Sequence, residues 1–350
     1  YNTLTNLFTK KIDFDGTTKG SNPEGKLIEA SDGNLYGMTY SGGTNNKGTL
    51  FQYNFNTNIL TKKLDFAGTS NGANPLGSLM QANNNKIYGM ATSGGTFGNG
   101  VLFQYDYLNN IYTKKLDFDA VNTGADTRGT LMQAMDGKLY GLTKSGGTAS
   151  GGVLFQYDII TNTYLKKIDL MSRPNGDTPA GSLIQATDQT IYGVNDRGVF
   201  QYDPLNKIFT KKAAFSTNTG GPPVGSLIQA NDGKMYGTTY NNGPIGGGVL
   251  YQFDPLTNII TTKVSFDGTN KGSQPSGKLL QATDGKLYGM TKYGGLNNKG
   301  VLFQYDAATN IFTKMVDFNG GNGALPVGGL IQASDGKIYG LTPEGGLFTY

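Results

Sequence analysis

Apolar positions along this chain come in short runs broken by Gly, Asn and Asp, and no stretch repeats them at the spacing of an amphipathic helix. Residues 276–318 show the pattern. Residues 277–282 form a short apolar run that reads as a strand (A), and Asp284-Gly285 supplies a two-residue hairpin turn. Residues 286–291 make a second strand (B) carrying Tyr288-Gly289, and residues 294–300 are too rich in Gly and Asn for regular structure. Residues 301–305 are a third strand (C), 306–310 a turn, and 311–318 a fourth strand (D). A sister unit writes the C–D turn as Asp254-Pro255-Leu256-Thr257-Asn258, where Pro presets the φ that such a turn needs.

The Tyr-Gly pair recurs at Tyr36, Tyr88, Tyr140, Tyr192, Tyr236, Tyr288 and Tyr339, with spacings of 52, 52, 52, 44, 52 and 51 residues. Units of that length built from four short strands predict an all-β protein, a seven-bladed β-propeller with four antiparallel strands per blade. The whole chain, 1–350, is then one domain. Its blades fall at 24–66, 76–118, 128–170, 180–215, 224–266, 276–318 and 327–350, the last completed by 1–14. Residues 1–11 align with 53–63, a D strand, and the chain ends on a C strand at 347–350. The predicted ring therefore closes with an N-terminal D strand joining C-terminal A, B and C strands, a 3+1 clasp that leaves no open sheet edge between first and last blades.

Each blade keeps one outer edge, its D strand, and there the sequence concentrates 12 of its 26 lysines, among them Lys62-Lys63 and Lys114-Lys115. Their simplest role is to block edge-to-edge pairing by charge; the competing reading is a basic belt for anionic surfaces. Composition narrows the chemistry further. The 350 residues include no Cys, His or Trp, which removes disulfides, thiol nucleophiles, Cys/His zinc sites and Ser-His-Asp triads. A net charge of +4 with 15% charged residues is too little for a nucleic-acid footprint, and no apolar run is long enough to cross a membrane or resembles a signal peptide.

The order Leu-Tyr, Gly-Gly, then Phe-Gln-Tyr-Asp and a later aromatic resembles the kelch repeat, with kelch's usual Trp replaced by Phe8, Leu60, Tyr112, Tyr164, Phe209, Ile260 or Phe312. The run Leu-Tyr-Gly-Met-Thr-x-x-Gly-Gly-x-x-x-x-Gly-x-Leu-Phe is similar to the GloVer-type tandem repeats of bacterial secreted proteins. That resemblance covers all seven units and implies a propeller, an extracellular or cell-surface location, and binding or adhesion. It carries over no catalytic residues and no cofactor. The copper chemistry of some kelch-like propellers needs His and Cys ligands, which this chain lacks.

In a propeller the D–A and B–C loops emerge on one face and the A–B and C–D turns on the other. Here the D–A loops run to about ten residues and the B–C loops carry the Gly-Gly segments, so the long-loop face is the expected binding face. Residues present in every blade read as structural. Glu29, Gln81, Gln133, Gln185, Gln229, Gln281 and Gln332 form a ring on the A strands, read as buried amides bonded to neighbouring backbone. Asp13, Asp65, Asp117, Asp169 and Asp317 end the D strands and read as turn caps, since Ala214 and Ser265 break any metal ring. No loop offers the dense acidic run that calcium needs.

Departures from the repeat carry more information. Blade four has lost most of its B–C loop: Phe200 follows Tyr192 by 8 residues, against 15 in five other blades. The three arginines of the chain, Arg128, Arg173 and Arg197, all fall in the blade three to four sector of the long-loop face. With Asp196 they are the candidate ligand-binding residues, an anion-binding notch exploiting the planar guanidinium fork; surface ion pairs with Asp126, Asp177 and Asp196 are the alternative. The expected function is a noncatalytic, secreted or cell-surface binding or adhesion module that recognises a glycan or a protein through the long-loop face. A rigid spacer without a small ligand, and a carbohydrate-active enzyme, are the alternatives. Neither nucleic acid nor membrane insertion is expected, other domains of one secreted protein are further candidate partners, and uniform polar blades suggest a monomer.

Overall fold

The computed structural model describes residues 8–171, 176 and 178–350. Among them, 28 strands form seven four-stranded antiparallel sheets, each in the order A-B-C-D, with no helix. In the seventh sheet the outer strand is Thr9–Ile12, paired antiparallel with Gly346–Thr349, so the clasp places an N-terminal strand beside three C-terminal ones. Residues 1–7, the start of the predicted D strand, lie outside the described residues.

The Tyr-Gly signature has a packing cause. Tyr36 is fully buried on strand B (Leu35–Thr39), and its hydroxyl donates to Asp32 Oδ2 at 2.8 Å, tying the strand to its own A–B turn. Tyr140, Tyr192, Tyr236, Tyr288 and Tyr339 repeat this with Asp136, Asp188, Asp232, Asp284 and Asp335. The adjacent Gly37 must lack a side chain, because a Cβ there would stand 2.5 Å from the Phe51 ring of strand C. The A–B turn is one residue wider than the sequence reading: Gly285 N–H bonds back to the Ala282 carbonyl and only Gly285 takes positive φ, 80°, while Asp284 stays right-handed and caps the turn.

The lysines of the edge strand occupy bulges. In blade one Leu50 faces Leu64 and Phe51 faces Lys62, leaving Lys63 unpaired, and the same shift skips Lys115, Lys167, Lys212 and Lys263. A charged bulge on an outer strand twists the edge and prevents it from templating another sheet. Where strand D ends in Asp, the lysine three residues earlier holds the loop cap instead: Lys62 Nζ lies 2.8 Å from Asp65, which also accepts from Thr44 N–H at 2.9 Å. Asp117 and Asp169 repeat the arrangement with Thr96 and Thr148, which places these aspartates as caps of the B–C loops. The lysine and the loop amides hold the Asp65, Asp117 and Asp169 carboxyls below their ordinary value against the opposing pull of burial.

The innermost strands are shorter than the sequence suggests. Strand A is two residues long in five blades, such as Ile28–Glu29 and Met80–Gln81, and longer only at Ala180–Gln185 and Ser273–Gln281. The residues before it are held by close approach between blades rather than by a ladder. Gly25, Gly77, Gly129, Gly181, Gly225, Gly277 and Gly328 form a ring about the axis. A Cβ on Gly77 would stand 2.3 Å from the Gly129 carbonyl oxygen, one on Gly225 2.2 Å from that of Gly277, and one on Gly328 2.7 Å from that of Gly25.

Candidate functional site

The glycine ring draws the seven A strands around a central channel of about 880 Å³, within the range of small-ligand sites. Glu24, Arg128, Lys144 and Pro222, at the ends of D–A loops and the start of a B–C loop, frame it on the long-loop face. Two successive rings of residues follow its axis, one lining the wall throughout and the other reaching it at Glu29 and Gln81.

The ring nearer the A–B turns is the glutamine ring. Gln133 Oε1 accepts from Asn83 N–H at 2.8 Å, Gln185 Oε1 from Met135 N–H at 2.8 Å, and Gln332 Oε1 from Thr283 N–H at 2.8 Å, each across a blade seam. The same amides donate to their own turns, as Gln133 Nε2 does to the Gly137 carbonyl at 2.7 Å. At the closing seam the ring member is Glu29, whose carboxylate accepts from both Ser334 N–H, at 2.7 Å, and Ser334 Oγ. The reading of these residues as partners of neighbouring backbone agrees with the structure, but they are partly exposed rather than buried, and Glu29 and Gln81 line the channel.

The second ring is made by the residue after each channel glycine: Lys26, Ser78, Thr130, Ser182, Ser226, Lys278 and Gly329. Four hydrogen bonds join five members from blade to blade. Lys26 N–H donates to Ser78 Oγ at 2.7 Å, Ser78 N–H to Thr130 Oγ1 at 3.1 Å, Thr130 N–H to Ser182 Oγ at 2.7 Å, and Ser182 N–H to Ser226 Oγ at 2.7 Å. The chain of hydroxyls stops at the closing side of the ring. There Lys278 and Lys26, from blades six and one, flank Gly329 of blade seven, whose missing side chain leaves the Lys26 Cβ and Lys278 backbone as its nearest neighbours.

Neither lysine ammonium has a hydrogen-bond or ion-pair partner among the described residues. Both residues are partly exposed and line the channel interior. Burial lowers Lys26, and burial together with the charge of Lys26 brings Lys278 down to about 8. At the mouth, burial raises the Glu24 carboxyl against the opposing attraction of Lys292 and Arg128. Four cationic side chains thus line the channel against two carboxylates, one of which, Glu29, is engaged with Ser334.

The arginine sector looks different. Arg128 Nε donates to Asp126 Oδ1 at 2.8 Å, and Arg197 Nε lies 3.3 Å from Asp196 Oδ2, so each described guanidinium pairs with a carboxylate close in sequence. Arg173 and Asp177 lie outside the described residues. Arg128 lines the channel, whereas Arg197 and Asp196 do not. The shortened blade-four turn is tight: Asn195, 2% exposed, accepts from Arg197 N–H at 3.0 Å, and Gly176 of the incoming loop packs on the Asn195 amide. Lys26 and Lys278 were not singled out by sequence; the signal was that their ring position is Ser or Thr in four other blades.

The chain matches the family model of the Gloeobacter/Verrucomicrobia repeat over residues 1–199 and 195–350. No curated protein matches it in sequence. Among solved structures it is similar to a streptogramin B lyase, with TM-score 0.68 and 13% identity over 98% of this chain and 96% of that one. It is similar to the extracellular domain of a putative one component system from B. thetaiotaomicron, with TM-score 0.69 and 16% identity, covering 98% of this chain and 40% of that one. An oligogalacturonate lyase from Vibrio parahaemolyticus matches with TM-score 0.63 and 13% identity over 98% and 92% of the two chains. At these identities the likeness shows the propeller fold alone.

Proposed function

The chain belongs to the Gloeobacter/Verrucomicrobia repeat family, and from that premise we propose that it is a noncatalytic, extracellular binding module that takes a glycan or a surface protein at its long-loop face. The observation that carries this reading is the channel, which opens among the long loops and is lined by cationic and hydroxyl side chains. Extracellular placement is supported by the extracellular domains among its structural neighbours. A noncatalytic role is supported by the engagement of Glu29 in blade closure, which leaves Glu24 without a free second carboxylate in the channel lining to act as its acid-base partner. The lyase and lactonase propellers among the neighbours make catalysis the second reading.

Arg128, Arg173, Arg197 and Asp196 remain the proposed contacts on the rim. The test is a glycan-array and cell-surface polysaccharide screen comparing the intact chain with Arg128→Ala/Arg173→Ala/Arg197→Ala. Binding that falls in the triple variant supports the rim contacts. Binding that survives moves the site inward to the channel, and turnover of any bound saccharide overturns the noncatalytic reading.

A further inference from the structure

We propose that the closing side of the channel is an oxyanion site, in which Lys26 and Lys278, set either side of Gly329, receive a carboxylate or sulfate group carried by an acidic saccharide. This deepens the binding-module reading and rests on it. The argument begins with donors. Ser78, Thr130, Ser182 and Ser226 each spend an oxygen lone pair on a neighbour's N–H, and among the described residues none of these hydroxyls has an acceptor for its own proton. Hydroxyl protons rotate to suit a partner. With two ammonium groups on the opposite side, the ring presents donors around its circumference and lacks an acceptor to match them.

An ammonium group drawn partly out of water without a partner is ordinarily paired or bound to an ion. Here two of them line one channel, with the Lys26 Cβ and the Lys278 backbone both against Gly329, in a fold whose repeat offers Ser or Thr at the same place. Gly329 lets the two lysine-bearing segments approach each other, since a Cβ there would stand 3.1 Å from the Lys278 carbonyl oxygen and 3.3 Å from its nitrogen, with the Lys26 Cβ in contact at 3.4 Å. A compact group with several acceptor oxygens supplies both ammoniums with the partner they lack. The channel volume of about 880 Å³ leaves room behind that group for sugar rings reaching the mouth at Arg128 and Lys144.

The experiment is calorimetric titration of the protein with sodium sulfate, with digalacturonic acid and with neutral galactobiose, as wild type and as Lys26→Met/Lys278→Met. The expected result is binding of both anions and a loss of at least about tenfold in the double variant. Digalacturonate binding more tightly than sulfate supports a saccharide carrier, while sulfate binding equally well overturns that part and assigns the site to a free anion. A measurement without any substitution guards against misfolding. Lys278 shares the channel with Lys26, Lys144, Arg128, Glu24 and Glu29, and its loss of a proton between pH 7 and 9 should weaken wild-type anion binding by up to about tenfold. A site built on arginine keeps its affinity over that range. Anion binding unchanged by both the substitutions and the pH step overturns the inference. Galactobiose bound equally by both forms does so too, while leaving the binding-module reading standing.

Discussion

The two rings of the channel lie three residues apart in each blade, and are built to opposite ends. In the ring of Glu29, Gln81, Gln133 and their sisters, side-chain oxygens are matched to N–H groups of the next blade, and the one charged member is absorbed by Ser334. In the ring of Lys26, Ser78, Thr130, Ser182, Ser226, Lys278 and Gly329, four bonds join five members and leave two ammoniums about a glycine on the side where the chain closes. A repeat protein distributes its structural work evenly over its blades. The place where a position stops repeating, without a compensating partner, is where a ligand can be accommodated.

The comparison breaks most sharply if the glycines that bring the rings together are filled. Gly225→Ala would push a methyl to 2.2 Å from the Gly277 carbonyl oxygen, and with backbone on the far side it should cost about 3 kcal/mol or more in denaturant unfolding. Next comes the matched ring. Gln281→Ala removes the acceptor of Asn231 N–H and the donor to the Gly285 carbonyl, an expected loss of about 1–3 kcal/mol. Glu29→Gln keeps one acceptor for Ser334 and should lose less than half of that.

The unmatched ring should respond in the other direction. Lys278 is lowered by burial, so between about pH 8 and its unfolded value near 10.4 the unfolded chain holds more protons than the folded one, and stability rises with pH across that window. Lys278→Met should flatten that rise in chemical denaturation series taken at successive pH values. A second unmatched group gives a smaller effect. Tyr251 replaces the Phe found at its place in sister blades, and its buried hydroxyl lacks a partner among the described residues. Tyr251→Phe should therefore stabilise the fold by about 1 kcal/mol. Smallest of all, Arg197→Ala breaks a half-exposed pair with Asp196 and should change unfolding by no more than about 0.5 kcal/mol.

Much of this architecture is legible in the sequence because it repeats. Tyr36-Gly37 and its six copies, the Asp-capped turns, the edge lysines and the closing strand are each dictated by contacts within a blade or with the next one, so they recur at the blade period. The short A strands were not legible, since the ring of Gly25, Gly77 and their sisters works by the absence of side chains and is satisfied only when seven blades meet. The channel lysines were hidden for a related reason. Among 26 lysines, Lys26 and Lys278 look like surface residues until the fold sets them on the axis, while three arginines stand out by rarity alone. Aligning position by position, Lys against Ser, Thr and Gly, was the signal that could have found them.

The central claim, that the closing side of the channel holds an oxyanion, is tested most directly by a crystal structure of the protein grown with selenate in place of sulfate. Anomalous density between Lys26 Nζ and Lys278 Nζ, with oxygens about 2.7–3.2 Å from both, is the predicted result. Selenate bound only beside Arg128 or Arg197, with the two lysines turned away from the channel, would contradict it.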